Sequence, residues 1–455
     1  MIEELTHNKF SKEFIILSSK RLNLPRDTVC QYFKFKISNY FNMKEKKFGK
    51  ELANKNLLLS CIKFLGFLFL TLIKSSSKPE KNKKYHFELL IDDIQSKDEI
   101  ERWIPFEKEF KEENTIFISR ISQEHIQSRN IVFRPFLKGY SRAILSAKFL
   151  KLILEDLPKV IFLSLRLRLN LVFIYTHLLN DYFYFYSLFK NYSADYLIQD
   201  RNLGTANPIK NYLFKENGGK ITSCLQKNII EHNGTALFYD IDIFFTYGEK
   251  TGEEALNLGG RIDKIHPVGS ASMNNALKVF PEEHELLYDV LFIGQNTTSK
   301  RTDWDYYYQS IEWLIRLANE SEGLKIAIKH HPTWRGDSRE KDIIRNSEII
   351  HVNKSENSYI LGLQSKIVLT YGSSMLYEFM SLREDLYFLD PGKENPFINN
   401  FVYSDDIVID SYEKLRLKAQ ENKIPRIKDS IDSKNYCRPN GDIPRKVINI
   451  LKSSV

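Results

Sequence analysis

The sequence predicts an α/β chain: two parallel-sheet domains facing a cleft, behind an extra helical N-terminal segment. Three observations predict it. After residue 85, short apolar runs alternate with charged or amphipathic stretches, as strands do when crossover helices join them. The alternation breaks near 271–286 and restarts at "YDVLFIGQ" (Tyr288 to Gln295). At 455 residues and 42% hydrophobic content, the chain has material for more than one core. The expected division is 1–75 as a helical extension, 85–275 as the first sheet domain and 286–455 as the second. The last helix is a candidate to return to the first domain.

Each element follows from its own pattern. "NLLLSCIKFLGFLFLTLIK" (Asn56 to Lys74) is apolar on all sides and interrupted by Lys63. It is short of the ~20 residues of a spanning helix, so a core helix, an interfacial helix and a span are all open. "IKSSSKPEKNKKY" is a polar linker after it. "YHFELLIDDI" and "TIFIS" read as strands, with a charged helix near Lys97 to Lys111 between them. The aromatic, Leu-rich stretch 141–190 reads as two helices. "YLIQDRN" is a strand ending in polar residues. Asn207 caps the next helix, Pro208 opens it and Gly218–Gly219 stop it. "KITSCLQ", "IDIFFTYG" and "KIHPVGS" complete the first domain. In the second, "WDYYYQSIEWLIRLANESE" is an amphipathic helix, and "KIAIK", "SEIIHV", "KIVLT" and "DLYFLD" are strands.

Composition excludes several classes. A net charge of +8, from 66 basic and 58 acidic residues, is too mild and too dispersed for a dedicated nucleic-acid binder. It suits an anionic substrate or membrane surface. Cys30, Cys61, Cys224 and Cys437 form no Cys-x-x-Cys pair and read as reduced thiols of a cytoplasmic protein. The polar N-terminus does not have the form of a secretory signal.

In open parallel sheets, ligands bind beyond the carboxyl ends of the strands. After "KIAIK" come His330, His331, Pro332 and Arg335. After "KIVLT" comes "YGSSMLYEF", where Gly372 allows close backbone approach and Ser373 and Ser374 open a helix. Unpaired amides and hydroxyls there suit an anion. Glu378 follows one turn later and is expected to meet ribose hydroxyls. Adjacent histidines with no completing cysteine or acid cluster argue against zinc. In the first domain Asp200 stands at a strand end as the candidate general base, with Glu249 as runner-up.

"KHHPTWR", followed about 40 residues later by "TYGSSMLYEFMSLREDLYFLDPG", resembles the nucleotide-binding half of GT-B glycosyltransferases. The likeness is to enzymes of bacterial surface polysaccharides: capsule and sialyltransferase-like enzymes, surface carbohydrate biosynthesis proteins, and the related CDP-glycerol glycerophosphotransferases. It covers roughly 190–400. It implies that His331 and Pro332, and Ser373 and Ser374, hold the nucleotide phosphates and ribose; the strand ends add His330, Arg335, Gly372 and Glu378 as candidate contacts. His331, at the donor phosphate, and Asp200, as base, are the catalytic candidates, and no cofactor, metal or nucleic acid is expected. Where many relatives have Gln-His-Gly, this chain has Gln226-Lys227-Asn228. The implied reaction moves a sugar from a nucleotide donor, a CMP-linked acidic sugar first, to a surface polysaccharide or lipid-linked glycan. The setting would be the inner face of the cytoplasmic membrane, with peripheral contact through residues 57–73. A CDP-polyol phosphotransferase and a non-catalytic glycan-binding module are the alternatives.

Overall fold

The structure, a computed structural model, describes residues 2–42, 56–74, 85–94, 103, 110, 114–119, 131–133, 150–199, 207–227, 239–280, 285–295, 302–331, 334, 338–345, 347–353, 355–380, 382–395, 398, 407–421 and 442–454. The charged helix expected near 97–111 lies outside them, apart from residues 103 and 110. The chain forms two compact units. Unit 1 holds 1–245, 255–266 and 444–455, and unit 2 holds 246–254 and 267–443.

Unit 1 opens with α1 (Ile2–His7), α2 (Lys9–Leu22), α3 (Arg26–Asn42) and α4 (Leu57–Lys74). These are not a separate extension. Phe14, Leu22, Phe33, Phe64 and Leu68 share one core with the helices and sheet that follow, so the expected boundary at residue 75 is not where the packing divides. Strands β1 (Tyr85–Ile94), β2 (Thr115–Ser119) and β3 (Ile131–Phe133) come next. A π-turn over 152–156 leads into α5 (Leu157–Leu167) and α6 (Leu171–Asn191). Apolar on nearly every face, α6 is buried as such a helix must be. Asp156 accepts two bonds from Arg21, at 2.6 and 2.7 Å, and one from the Tyr175 hydroxyl at 2.7 Å. A fully buried carboxylate thus ties α2 to α6.

After β4 (Tyr192–Gln199), α7 (Pro208–Glu216) starts where the Asn207 side chain accepts from the Lys210 amide. It stops at Gly218, whose φ of +97° suits glycine. Strands β5 (Ile221–Leu225) and β6 (Asp240–Thr246), helix α8 (Glu249–Asn257) and β7 (Arg261–Pro267) follow. The sheet order is β3-β2-β1-β4-β5-β6-β7.

Unit 2 contains α9 (Ala271–Val279), β8 (Tyr288–Ile293), α10 (Trp304–Glu320), β9 (Ile326–Lys329), α11 (Ser338–Ile344) and β10 (Ile350–Val352). It continues with α12 (Ser358–Leu363), β11 (Ser365–Thr370), α13 (Met375–Phe379), β12 (Leu386–Leu389), β13 (Val408–Ile409) and α14 (Tyr412–Gln420). Its order is β10-β9-β8-β11-β12-β13, with each pair parallel. The buried face of α10 (Tyr307, Ile311, Leu314, Leu317) fills the core over β8, β9 and β11. The last helix, α15 (Ile443–Ser453), groups with unit 1, where the Lys452 ammonium lies 4.6 Å from the Phe110 ring centroid. The expected fold class, α/β with two Rossmann-like parallel sheets, is the one observed. Numbered within each unit, the unit 2 sheet runs 3-2-1-4-5-6 and the unit 1 sheet runs the same way with a seventh strand at its end. That order reverses direction between the first and fourth strands, and ligands of such sheets bind there.

Candidate functional site

In unit 1 the switch point lies between β1 and β4, where Asp92 pairs in register with Gln199. Lys210, from the first turn of α7, fills it. Its ammonium is 2.9 Å from Asp92 Oδ2 and also donates to Gln199 Oε1. Gln199 Nε2 donates to Asn211 Oδ1 at 3.2 Å, and Asn211 reaches the Asp240 carbonyl. All four side chains, Asp92, Gln199, Lys210 and Asn211, are buried. Buried charges persist only when paired and hydrogen-bonded, and here both conditions are met. Asp200, the expected base, lies outside the described residues. Glu249 is exposed in the first turn of α8.

In unit 2 the switch point lies between β8 and β11. β8 ends at Gly294, where a Cβ would come within 3.2 Å of the Lys329 carbonyl and 3.4 Å of the Tyr307 hydroxyl. Glycine therefore lets the ends of β8 and β9 close together, with a Gly294 N–H to Lys329 carbonyl bond of 2.9 Å. β11 ends at Thr370, whose hydroxyl donates to the Ile293 carbonyl at 3.0 Å. The same oxygen accepts from the amides of Gly372 (3.2 Å) and Ser373 (3.0 Å). The Ser373 amide, expected to be unpaired, is thus satisfied by the strand-end threonine. The Ser373 hydroxyl in turn accepts from the Met375 amide at 3.3 Å. Ser374 differs: it is half-buried, and its side chain makes no capping bond. The helix behind it, α13, is a single turn of five residues, so any anion affinity comes from the turn's own groups and little from a helix dipole. Asn395 Nδ2 clamps the turn from behind, donating to the Tyr371 carbonyl at 2.6 Å. Beyond β12 and β13 a cavity of about 440 Å³ opens, lined by Asp390, Lys393, Asn395, Asp410 and Lys414 among others.

The histidine pair is divided by the strand's alternation. His330 points inward: its ring stacks on Trp334 at 4.0 Å and its Nε2 lies 3.1 Å from His351 Nδ1. Its Nδ1 is 3.3 Å from Glu340 Oε1, and the other Glu340 oxygen takes the Trp334 indole N–H at 2.8 Å. Both ring nitrogens face protein groups, His351 on one side and Glu340 on the other. His331 is half-buried. Burial, then the positive charge of Lys329, push its pKa below the ordinary histidine value. Both effects favour its neutral imidazole form. The buried cation is Lys329, whose ammonium donates to the His330 carbonyl at 3.0 Å and whose own pKa burial lowers. In the sequence Lys329 is the last residue of the strand run "KIAIK". Its signal was a lysine closing an otherwise apolar run.

Glu378 is buried, and its Oε2 accepts from the hydroxyls of Tyr359 (2.8 Å) and Ser270. Ser270 is the N-cap of α9 and Tyr359 lies in α12. Glu378 therefore ties three helices together through Oε2. Pro332 and Arg335 lie outside the described residues. β9 and β11 flank β8, so the His331 and Gly372–Ser374 turns are two strand spacings apart, about 10 Å at the backbone. A nucleoside diphosphate can bridge that distance.

No family model matches the chain, and no curated protein matches it. Solved structures do. The UDP-GlcNAc 2-epimerase of Methanocaldococcus jannaschii, in complex with UDP-GlcNAc and UDP, is 13% identical. The alignment covers 81% of this chain and 100% of that one, with a TM-score of 0.43. The Neisseria meningitidis UDP-GlcNAc 2-epimerase bound to UDP-GlcNAc is 13% identical over 81% and 100%, with a TM-score of 0.45. An E. coli trehalose-6-phosphate structure bound with UDP-2-fluoro glucose is 10% identical over 81% and 96%, with a TM-score of 0.41. Likenesses at these scores carry no argument about activity. What the site can do rests on its own residues.

Proposed function

We propose that unit 2 binds a nucleotide-activated sugar at the ends of β8, β9 and β11, and that the chain is a GT-B-type glycosyltransferase. The observation that supports this best is the Gly372–Ser374 turn at the switch point of a 3-2-1-4-5-6 sheet. Thr370 and Asn395 fix the turn's backbone, while the Ser374 hydroxyl makes no bond to its own helix.

In this reading the Ser374 hydroxyl donates to a donor phosphate. His331 offers one N–H to the same diphosphate, and Lys329 sets the local positive potential. As the sugar–phosphate bond breaks, negative charge grows on the leaving phosphate, and fixed donors stabilise it more than they stabilise the bound donor. His331 takes up a proton more readily as that charge grows, since a neighbouring anion favours the imidazolium. The cavity beside Asn395 gives room for the sugar. Asp200 is the proposed base that activates the acceptor hydroxyl. A CMP-linked acidic sugar is the first donor to test, and a surface polysaccharide or lipid-linked glycan the acceptor.

The test is a thermal-shift panel of CMP, CDP, UDP and GDP, then of the matching nucleotide sugars. A ligand at 100 times its Kd stabilises by about 2.7 kcal/mol. Stabilisation by one nucleotide, and a product mass showing a transferred glycosyl group, are the expected results. A product carrying a polyol phosphate would make the chain a phosphotransferase instead. No stabilisation by any of the four nucleotides or their sugars would leave only a non-catalytic module.

A further inference from the structure

Ten of the seventeen exposed large hydrophobic side chains among the described residues lie on two neighbouring stretches of unit 1: six on α4 and four on residues 150–165. In α4 the inner stripe Ser60, Phe64 and Leu68 is buried against α6, where the Phe64 ring stacks on Tyr175 at 6.1 Å. The opposite face carries Leu58, Leu59, Ile62, Leu65, Phe69 and Leu70, from 43% exposed at Leu65 to 77% at Leu58. In α5 the inner stripe is Leu157, Val160 and Leu163. Outward stand Phe162 and Leu165, with Leu150 and Leu154 just before the helix. Both helices pack on α6. α4 reaches the start of α6, where Asn170, the N-cap of α6, donates to the Ser60 hydroxyl at 2.8 Å, and α5 ends just before that cap, at Leu167.

The charges around these faces have one sign. Lys63 stands on α4, and Lys159, Arg166 and Arg168 on or beside α5, all exposed. The Arg166 guanidinium lies 5.2 Å from the Phe162 ring centroid, so cation and apolar surface are one patch. α4 contains no acid. The exposed acid before α5, Glu155, is already bound to Arg21 at 2.9 Å. In sequence, Lys74, Lys78, Lys81, Lys83 and Lys84 follow α4 against a single acid, Glu80. An apolar face of this size needs an occupant. A second copy docking by two-fold symmetry would set these cations against one another. No described helix is long and apolar enough to cross a membrane.

We propose that α4 and α5 seat unit 1 on an anionic lipid surface. Leu58, Ile62, Phe69, Phe162 and Leu165 enter the interface, and Lys63, Arg166 and Arg168 meet the headgroups. This goes beyond the nucleotide reading and does not rest on it.

The experiment is co-sedimentation of the full-length protein with phosphatidylglycerol-containing and with pure phosphatidylcholine vesicles. The wild type should bind the anionic vesicles about tenfold or more tightly, with most of that preference lost in ~1 M salt. Leu58→Ser with Ile62→Ser should abolish binding to both vesicle types. Lys63→Glu with Arg166→Glu should abolish the anionic preference. These positions are exposed, so unchanged melting and unchanged nucleotide stabilisation show that fold and nucleotide site are intact. Equal binding of the wild type to both vesicle types, or variants that bind as the wild type does, would overturn the proposal. So would a wild-type dimer in sedimentation velocity that Leu58→Ser with Ile62→Ser converts to monomer, because the occupant would then be a second copy.

Discussion

In unit 1 the ends of β1 and β4 are closed by a buried ion pair, Asp92 with Lys210, and by the Gln199 and Asn211 amides. In unit 2 the equivalent ends of β8 and β11 carry Gly294 and the Gly372–Ser374 turn, with Ser374 half-buried. The strand order is the same. The difference comes from the element that follows: the first turn of α7 places Lys210 on Asp92 and Gln199, whereas Ser373 and Ser374 lead into α13. Topology makes the crevice twice, and side chains decide which one stays available to a ligand.

The largest effect expected from this contrast is structural and belongs to unit 1. Lys210→Ala leaves Asp92 buried without its cation and should destabilise the protein by about 3–5 kcal/mol, measured by urea denaturation. Lys210→Met with Asp92→Leu should recover most of that loss, because an apolar pair needs no solvation. If Lys210→Ala keeps full stability but loses nucleotide binding, the two switch points have been assigned the wrong way round.

The next effect belongs to unit 2. Ser374→Ala should weaken nucleotide binding by about 1.5–3 kcal/mol, the range for a hydrogen bond to a charged group, with no change in melting temperature. Calorimetric titration reads the first and a thermal scan the second. His331→Ala should cost a similar amount at neutral pH, about 1.5–3 kcal/mol, because its N–H also donates to the charged diphosphate. The His331 pKa is held down by burial and Lys329, and a bound phosphate favours the imidazolium. Nucleotide affinity of the wild type should therefore rise as pH falls from 7 to 6, and His331→Ala should flatten that slope.

Stability should move the other way with pH. Burial holds His266 and His331 below the ordinary histidine value. On acidification the unfolded chain takes up these protons first, near pH ~6.5. Stability is then lost from that point down to the lower folded pKa values. The melting temperature should be flat above pH ~7 and fall below it. A rise on acidification through this window would contradict the burial of these rings.

Much of the sheet architecture was legible because buried parallel strands read as apolar runs, and "KIAIK", "KIVLT" and "DLYFLD" became β9, β11 and β12. β3 and β13, with three and two residues, are too short to carry a pattern. The Asp92–Lys210 pair was not legible, since its partners lie 118 residues apart and only the register of β1 with β4 brings them together. His330 and His331 look equivalent in sequence, and alternation along an extended chain sends them to different surroundings. Glu378 sits at the right spacing for a ligand contact, but Ser270 and Tyr359, from distant helices, converge on its carboxylate. The first helices were expected to stand apart. Their inner faces complete the unit 1 core, while the outer face of α4 is exposed.

Amide hydrogen exchange, with and without a saturating nucleotide, tests the central contrast most directly, because it reads both switch points in one experiment. The expected result is new protection at 371–375, 329–331 and 294–295, with no change at the ends of β1 and β4 around residues 92 and 199. Protection confined to residues 92 and 199, with 371–375 unchanged, would contradict the assignment of the nucleotide to unit 2.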